Sequence, residues 1–136
     1  MELQVGVKIA IVRDGKVLLL KRAAGQYQDI KVDRWDIVGG RITPGSDLLS
    51  NLKREVLEET QLEILGIPKL LAAQDILKSN DKHVVRLTYQ GQAKGDIKLD
   101  HEHEDFKWMT GQDLMDLGEN LDSYFKELLI SKTIVI

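Results

Sequence analysis

Three glutamates, Glu55, Glu58 and Glu59, stand at i, i+3 and i+4, offsets that make them neighbours on one helix surface. Like charges so grouped repel, and the helix alone gains nothing from them. A divalent cation converts that repulsion into ligation. Oxygen-rich sites are where Mg²⁺ binds, with substrate phosphates completing its shell. The pattern therefore points to metal-dependent chemistry on a phosphate compound. Gly39-Gly40 precede the helix and allow a tight turn with close approach of backbone to a ligand. Arg54 lies four residues before Glu58, the offset of a helical ion pair. A second acidic run, Asp100-His101-Glu102-His103-Glu104-Asp105, comes before Phe106-Lys107-Trp108. By composition it reads either as a site loop or as an exposed acidic surface. His101 and His103 bracket Glu102, but loop histidines are more often solvated, and the oxygen donors favour Mg²⁺ or Mn²⁺ over Zn²⁺. Lys21, Arg22 and Arg41 are candidate phosphate contacts, since guanidinium geometry suits phosphate. An ordinary surface charge is an equal reading for each.

These groups need elements to hold them. Val5 to Val12 reads as a strand, Asp14-Gly15 as a hairpin turn and Lys16 to Arg22 as the partner strand, buried on both faces at Val17 to Leu20. Ala23 to Asp33 reads as a polar loop, with Tyr27 either stacking on a base or facing solvent. Trp35 to Val38 reads as a short strand, with Trp35 packed beneath the two glycines. Thr43-Pro44-Gly45 breaks the chain, and Ser46 is the expected N-cap of the next helix. Leu48, Leu49, Leu52 and Val56 form its apolar stripe. Leu62 to Leu77, His83 to Ala93 and Phe106 to Met109 read as further strands. Asp113 to Leu117 and Leu121 to Ile130 read as helices.

The run from Gly40 to Leu62 closely resembles the signature box of the Nudix hydrolase superfamily. That box reads Gly, five residues, Glu, seven residues, Arg-Glu, an aliphatic, any residue, Glu-Glu, any residue, Gly, an aliphatic. Gly40, Arg54, Glu55, Val56, Glu58, Glu59 and Leu62 match it; Ser46 and Gln61 depart from it. The resemblance extends over the whole chain and implies an α+β fold, an α/β/α sandwich with a mixed β-sheet and the box helix packed against it. It implies a hydrolase with Glu55 and Glu59 as direct Mg²⁺ ligands, Glu58 sharing that role or holding a second ion, and the Gly39 carbonyl turned to the metal. It gives Arg54 the task of orienting a carboxylate. It puts Glu102, six residues ahead of Trp108, in the place of the family's loop acid. Glu104 stays open, because alternation along an extended segment turns it to the same side as Glu102, and Asp105 is the third candidate.

Bulk properties agree. The chain of 136 residues has no low-complexity tract and reads as one domain, 1–136. It is 43% hydrophobic and 30% charged, with a net charge of −3, so no basic surplus marks a nucleic-acid binder. It lacks cysteine, which excludes thiol chemistry. No apolar run is long enough to span a bilayer, and the cytoplasm is the default location. The expected partner is a small nucleotide, the expected state a monomer or homodimer. Markers of several Nudix subfamilies are missing; the proline that ADP-ribose enzymes carry about sixteen residues past the box is replaced by Lys78. By exclusion, the reading is a pyrophosphohydrolase cutting a nucleoside triphosphate to monophosphate and pyrophosphate. The alternative is a non-catalytic nucleotide-sensing domain, supported by Ser46 alone.

Overall fold

A computed structural model describes residues 1–24 and 34–136. Tyr27 and most of the polar loop that contains it lie outside the described residues. The long first strand β1 (Glu2–Arg13) is the axis of the fold. It turns at Asp14-Gly15, both with positive φ, into β2 (Lys16–Arg22). That is the backbone a two-residue hairpin loop requires. β3 (Trp35–Asp36) and β4 (Val38–Arg41) follow, then α1 (Leu48–Thr60), β5 (Glu63–Ile76), β6 (Lys82–Lys94), β7 (His103–Met109), α2 (Gly111–Asp116) and α3 (Ser123–Ile130). β1 runs parallel to β6 and antiparallel to β4 and β2; β5 lies on the outer side of β6, and β7 pairs with β2. The sheet is thus mixed, as the resemblance implied.

Alternation along β1 and β2 divides the core between the two faces. Val7, Ile9, Ile11, Leu18 and Leu20 pack with Leu52 and Val56 of α1 on one side. Ala10, Val17 and Leu19 pack with Leu114 of α2 and with Phe125 and Leu128 of α3 on the other. Helices cover both faces, which gives the α/β/α sandwich. The four-residue run at Val17 to Leu20 is fully buried because each face has its own helix layer.

The strand expected at Trp35 to Val38 is broken at Ile37. Asp36 pairs with Leu20 of β2, whereas Val38 pairs with Ile9 of β1. Trp35 therefore packs in the second cluster with Leu71 and Leu117 and not beneath the glycines. A buried ionic network holds the crossing point. Asp36 meets Lys8 at 3.1 Å, Arg22 at 3.5 Å and Arg86 at 3.0 Å, and Arg86 reaches Asp122 at 2.8 Å. Burial raises the Asp36 carboxyl, but Arg86, Lys8 and Arg22 outweigh it and hold it well below the usual carboxylate range.

The ends of α1 differ from expectation at two points. The N-cap is Asp47, not Ser46; its carboxylate accepts from the Ser50 amide at 2.7 Å. An ionised cap also faces the positive end of the helix dipole, an advantage a serine lacks. The buried face is Asn51, Leu52, Val56, Glu59 and Thr60, while Leu48 is exposed. Asp47→Ala is expected to cost about 0.5–2 kcal/mol and Ser46→Ala a few tenths at most, as read by denaturant melts. A larger loss from Ser46→Ala would return the cap to Ser46. At the other end Gln61 takes the left-handed conformation, φ 64°, where the family pattern has glycine. Gln61→Gly is expected to stabilise by about 0.5–1 kcal/mol, because only glycine enters that region without a Cβ penalty. An unchanged or lowered melting temperature would rule this out.

Candidate active site

The site grows from the packing of α1 under β4. Gly39 has φ 142°, and a Cβ there would lie 2.0 Å from the Val7 carbonyl oxygen; a Cβ at Gly40 would lie 2.6 Å from the Glu55 carboxylate. Gly39 is therefore required by the backbone of β1, whereas a side chain at Gly40 would have to displace the Glu55 carboxylate. Arg54 fixes that acid. Its guanidinium donates to Glu55 Oε1 at 2.8 Å, to the Arg41 carbonyl at 3.0 Å and to the Thr43 hydroxyl at 2.6 Å. Glu58 is farther, 3.8 Å, and exposed. The arginine thus orients Glu55 more than Glu58 and ties the box loop to its helix. Asn51, buried on α1, closes the same loop: it accepts from the Thr43 amide and donates to the Ser46 and Asp47 carbonyls. Its role was not legible in the sequence, where a single asparagine among helix residues carries no signal.

Glu59 lies deepest. Its Oε1 accepts from the Gly39 amide at 3.4 Å, and its carboxyl meets that of Glu55. Burial, with Glu55 beside it, pushes the Glu59 pKa up to about 9 in spite of the Lys8 ammonium nearby. The buried Glu59 carboxyl and the half-buried Glu55 carboxylate are adjacent oxygen donors, the ligand type that hard divalent cations take. The pair therefore fits a divalent metal. Among the described residues no three His, Cys, Asp or Glu side chains are already gathered to hold one, and Glu58 is exposed. The Gly39 carbonyl accepts from Lys8 Nζ at 3.1 Å, and the same ammonium binds the Ile37 carbonyl at 3.2 Å. Lys8 thus pins the backbone that presents the glycines, a part the sequence did not reveal because one lysine within a strand reads as solvated.

Arg22 is half-buried and paired with Asp36. Arg41 is exposed and donates to the Gln4 side chain at 2.7 Å. Lys21 lies over the Trp35 ring at 6.0 Å and within 4.0 Å of Glu104.

β7 begins at His103, three residues earlier than the strand expected from Phe106. Glu102 sits in the preceding turn, half-buried, and its carbonyl accepts from the Ala23 amide. Glu104 is bound by Arg34 and Lys21, and Asp105 pairs in register with Lys21. A bulge between Lys21 and Arg22 leaves Glu104 without a partner in the register and sets His103 opposite Arg22. It breaks the alternation that had kept Glu104 equivalent to Glu102. His101 is exposed, but His103 is largely buried, its Nδ1 2.7 Å from Asp100 and its Nε2 3.9 Å from Glu59. The expectation of solvated histidines therefore fails at His103.

Known proteins resemble this chain in sequence and in fold. The NUDIX domain family model matches residues 2–129. The chain is 26% identical over 121 residues to a nucleoside triphosphatase NudI of Escherichia coli O17:K52:H18, covering 82% of this chain and 84% of that protein. A MutT NUDIX hydrolase from Burkholderia pseudomallei superposes with TM-score 0.80 at 25% identity, over 96% of this chain and 98% of that one. A MutT protein from Methanosarcina mazei Go1 shares the fold, with TM-score 0.79 at 24% identity over 95% and 91%. With the box helix, its glycine turn and a family match over nearly its whole length, the chain belongs to the Nudix hydrolases, enzymes that act on phosphoanhydride bonds.

Proposed function

We propose that this chain is a Mg²⁺-dependent pyrophosphohydrolase, with Mn²⁺ as an alternative cation, that cleaves a nucleoside triphosphate to monophosphate and pyrophosphate. The observation that carries the reading is the Glu55–Glu59 pair under Gly39-Gly40, Glu59 buried and Glu55 held by Arg54. The triphosphate assignment draws on the relative named a nucleoside triphosphatase. In this reading Glu55 and Glu59 are the principal ligands, and Glu58, Glu102 and the Gly39 carbonyl complete the shell. Arg22 and Arg41 take phosphate oxygens, which requires each to exchange its present partner. When bound, the cation supplies Lewis acidity toward a phosphoryl oxygen and lowers the pKa of water. The protein supplies the rest. Arg54 keeps Glu55 from swinging away, the glycines let phosphate approach the backbone, and one carboxylate accepts the proton of the attacking water. No helix among the described residues is long and apolar enough to cross a membrane. The reading takes residues 1–136 as one domain, in the cytoplasm, as a monomer or homodimer with a small nucleotide as its partner.

A panel of nucleoside triphosphates, diphosphates and nucleoside diphosphate conjugates with Mg²⁺, followed by product identification, tests the reading. Monophosphate plus pyrophosphate from a triphosphate is the expected outcome. Inorganic phosphate as first product would move the cleavage to another phosphorus. Nucleotide binding without turnover would favour the sensing domain, for which Ser46 is the motive. Glu102→Gln is expected to slow turnover far more than it weakens substrate binding, whereas Glu104→Gln, losing contacts with Arg34 and Lys21, changes stability and leaves the rate. Loss of rate in the second alone would transfer the loop role to Glu104.

A further inference from the structure

His103 owes its position to the β7 bulge. Trp108 packs on the α1 side of the sheet and Met109 on the other. Uninterrupted alternation from Met109 would carry Lys107, Asp105 and then His103 to the side away from α1. The bulge opposite Lys21 and Arg22 resets the count, as bulges do when they re-aim a side chain. His103 turns instead to Glu59 of α1.

Its ring is also oriented. Nδ1 is 2.7 Å from Asp100 Oδ1, and an ionised carboxylate only accepts. When Nδ1 donates to that carboxylate, a neutral imidazole carries its lone pair on Nε2. That nitrogen faces Glu59 Oε1 at 3.9 Å, with the two side chains only 11% and 7% exposed. The separation is too long for a hydrogen bond. His103 Nε2 and Glu59 Oε1 thus face each other without a direct bond in a place largely shut off from solvent. A carboxylate that holds one imidazole nitrogen while the other points to a cation is the usual arrangement behind a metal-bound histidine.

We infer that His103 Nε2 is a nitrogen ligand of the cation held by Glu59, so that the site is a mixed nitrogen–oxygen one with Asp100 as the positioning residue. This rests on the reading of Glu55 and Glu59 as cation ligands. An imidazole adds little for Mg²⁺ but favours borderline ions such as Co²⁺, Ni²⁺ and Zn²⁺. The site then discriminates among cations through His103 as well as through its acids.

The test is binding of Co²⁺ and of Mg²⁺ to the full chain by calorimetry, with the visible absorption of bound Co²⁺ as the reporter of nitrogen ligation. His103→Asn is expected to weaken Co²⁺ by roughly 10–100-fold and to shift its absorption band, with Mg²⁺ changed by less than about threefold. Asp100→Asn, which frees the tautomer, is expected to weaken Co²⁺ to an intermediate extent. Equal losses for the two ions, or an unchanged band, would overturn the inference. Glu59→Gln separates the acid-pair site from the histidine: Co²⁺ binding that survives it refutes the acid-pair site itself, whereas loss in Glu59→Gln with none in His103→Asn refutes His103 alone. If thermal melts show that His103→Asn does not fold, the wild type decides. Addition of Zn²⁺ is expected to shift the Nε2 resonance of His103 in nitrogen NMR, and no shift at saturating Zn²⁺ would overturn the inference.

Discussion

Glu59→Gln is expected to slow turnover by roughly 10²–10⁴-fold and at the same time to stabilise the metal-free protein above neutral pH. The two effects have one cause. Glu59 is buried beside Glu55, and its pKa is pushed up to about 9 from an ordinary 4.5. Between those values the folded protein keeps a proton that the unfolded chain has released. Stability therefore falls as pH rises through this window and levels off above it. Glutamine has the same shape and no charge to bury, so the variant lacks this slope. In a chelator it should match wild type near pH 5 and exceed it by about 1–3 kcal/mol near pH 8.5, a figure kept to a few pKa units' worth because the carboxyl pair relaxes on ionisation. Saturating Mg²⁺ should reverse the order at high pH, since it stabilises wild type by binding only the folded state. Melts at both pH values, with and without metal, check the prediction. A wild type whose metal-free stability is flat across the window, or a variant with near-normal turnover, would remove Glu59 from the centre of the site.

Arg86→Met is expected to cost about 3–5 kcal/mol, the scale on which breaking a buried ion pair leaves charge uncompensated. That is a large share of the roughly 5–15 kcal/mol that holds a domain folded. Arg86 is 4% exposed and bridges Asp36, at the crossing between β3 and β4, to Asp122, the N-cap of α3. Methionine fills similar space but leaves Asp122 without its cation and Asp36 with Lys8 and Arg22 alone. The acid limb provides a second readout. Asp36 is held below its ordinary value, so its contribution is present above the unfolded pKa and is lost as pH falls from there toward the folded one. Wild type should lose more stability than Arg86→Met between about pH 5 and pH 2 for that reason. In the double variant Arg86→Met, Asp122→Asn the losses should fall short of additive, as for two residues in contact. A loss below about 1 kcal/mol in the single variant would show that the network is dispensable.

Local patterns carried the parts of the fold that depend on neighbours in sequence. β2 was bounded correctly because a continuous apolar run ends at charged residues on both sides. The hairpin was legible because Asp14-Gly15 names its own backbone conformation. The box helix was legible because its apolar and acidic residues recur at helical offsets after the break at Thr43-Pro44-Gly45. Where the reading failed, the deciding partner was remote. Ser46 and Asp47 are both good caps by type, and the path of the preceding loop, clamped by Asn51, selected between them. The break at Ile37 cannot be read from Trp35 to Val38, because it exists only where β2 and β1 diverge and Lys8, Arg22 and Arg86 converge on Asp36.

For the candidate site, the sequence by itself determined the residue types and their spacing: carboxylates at helical offsets, glycines ahead of them and an arginine beside them. These are properties of residue type and short-range periodicity. The tertiary structure alone decided which acid is desolvated, since Glu55, Glu58 and Glu59 are equivalent in composition and differ only in what packs over them. It also decided which loop residue meets that acid. A single extra residue in β7 reverses the side to which His103 points, and it is this reversal that sets His103 against Glu59.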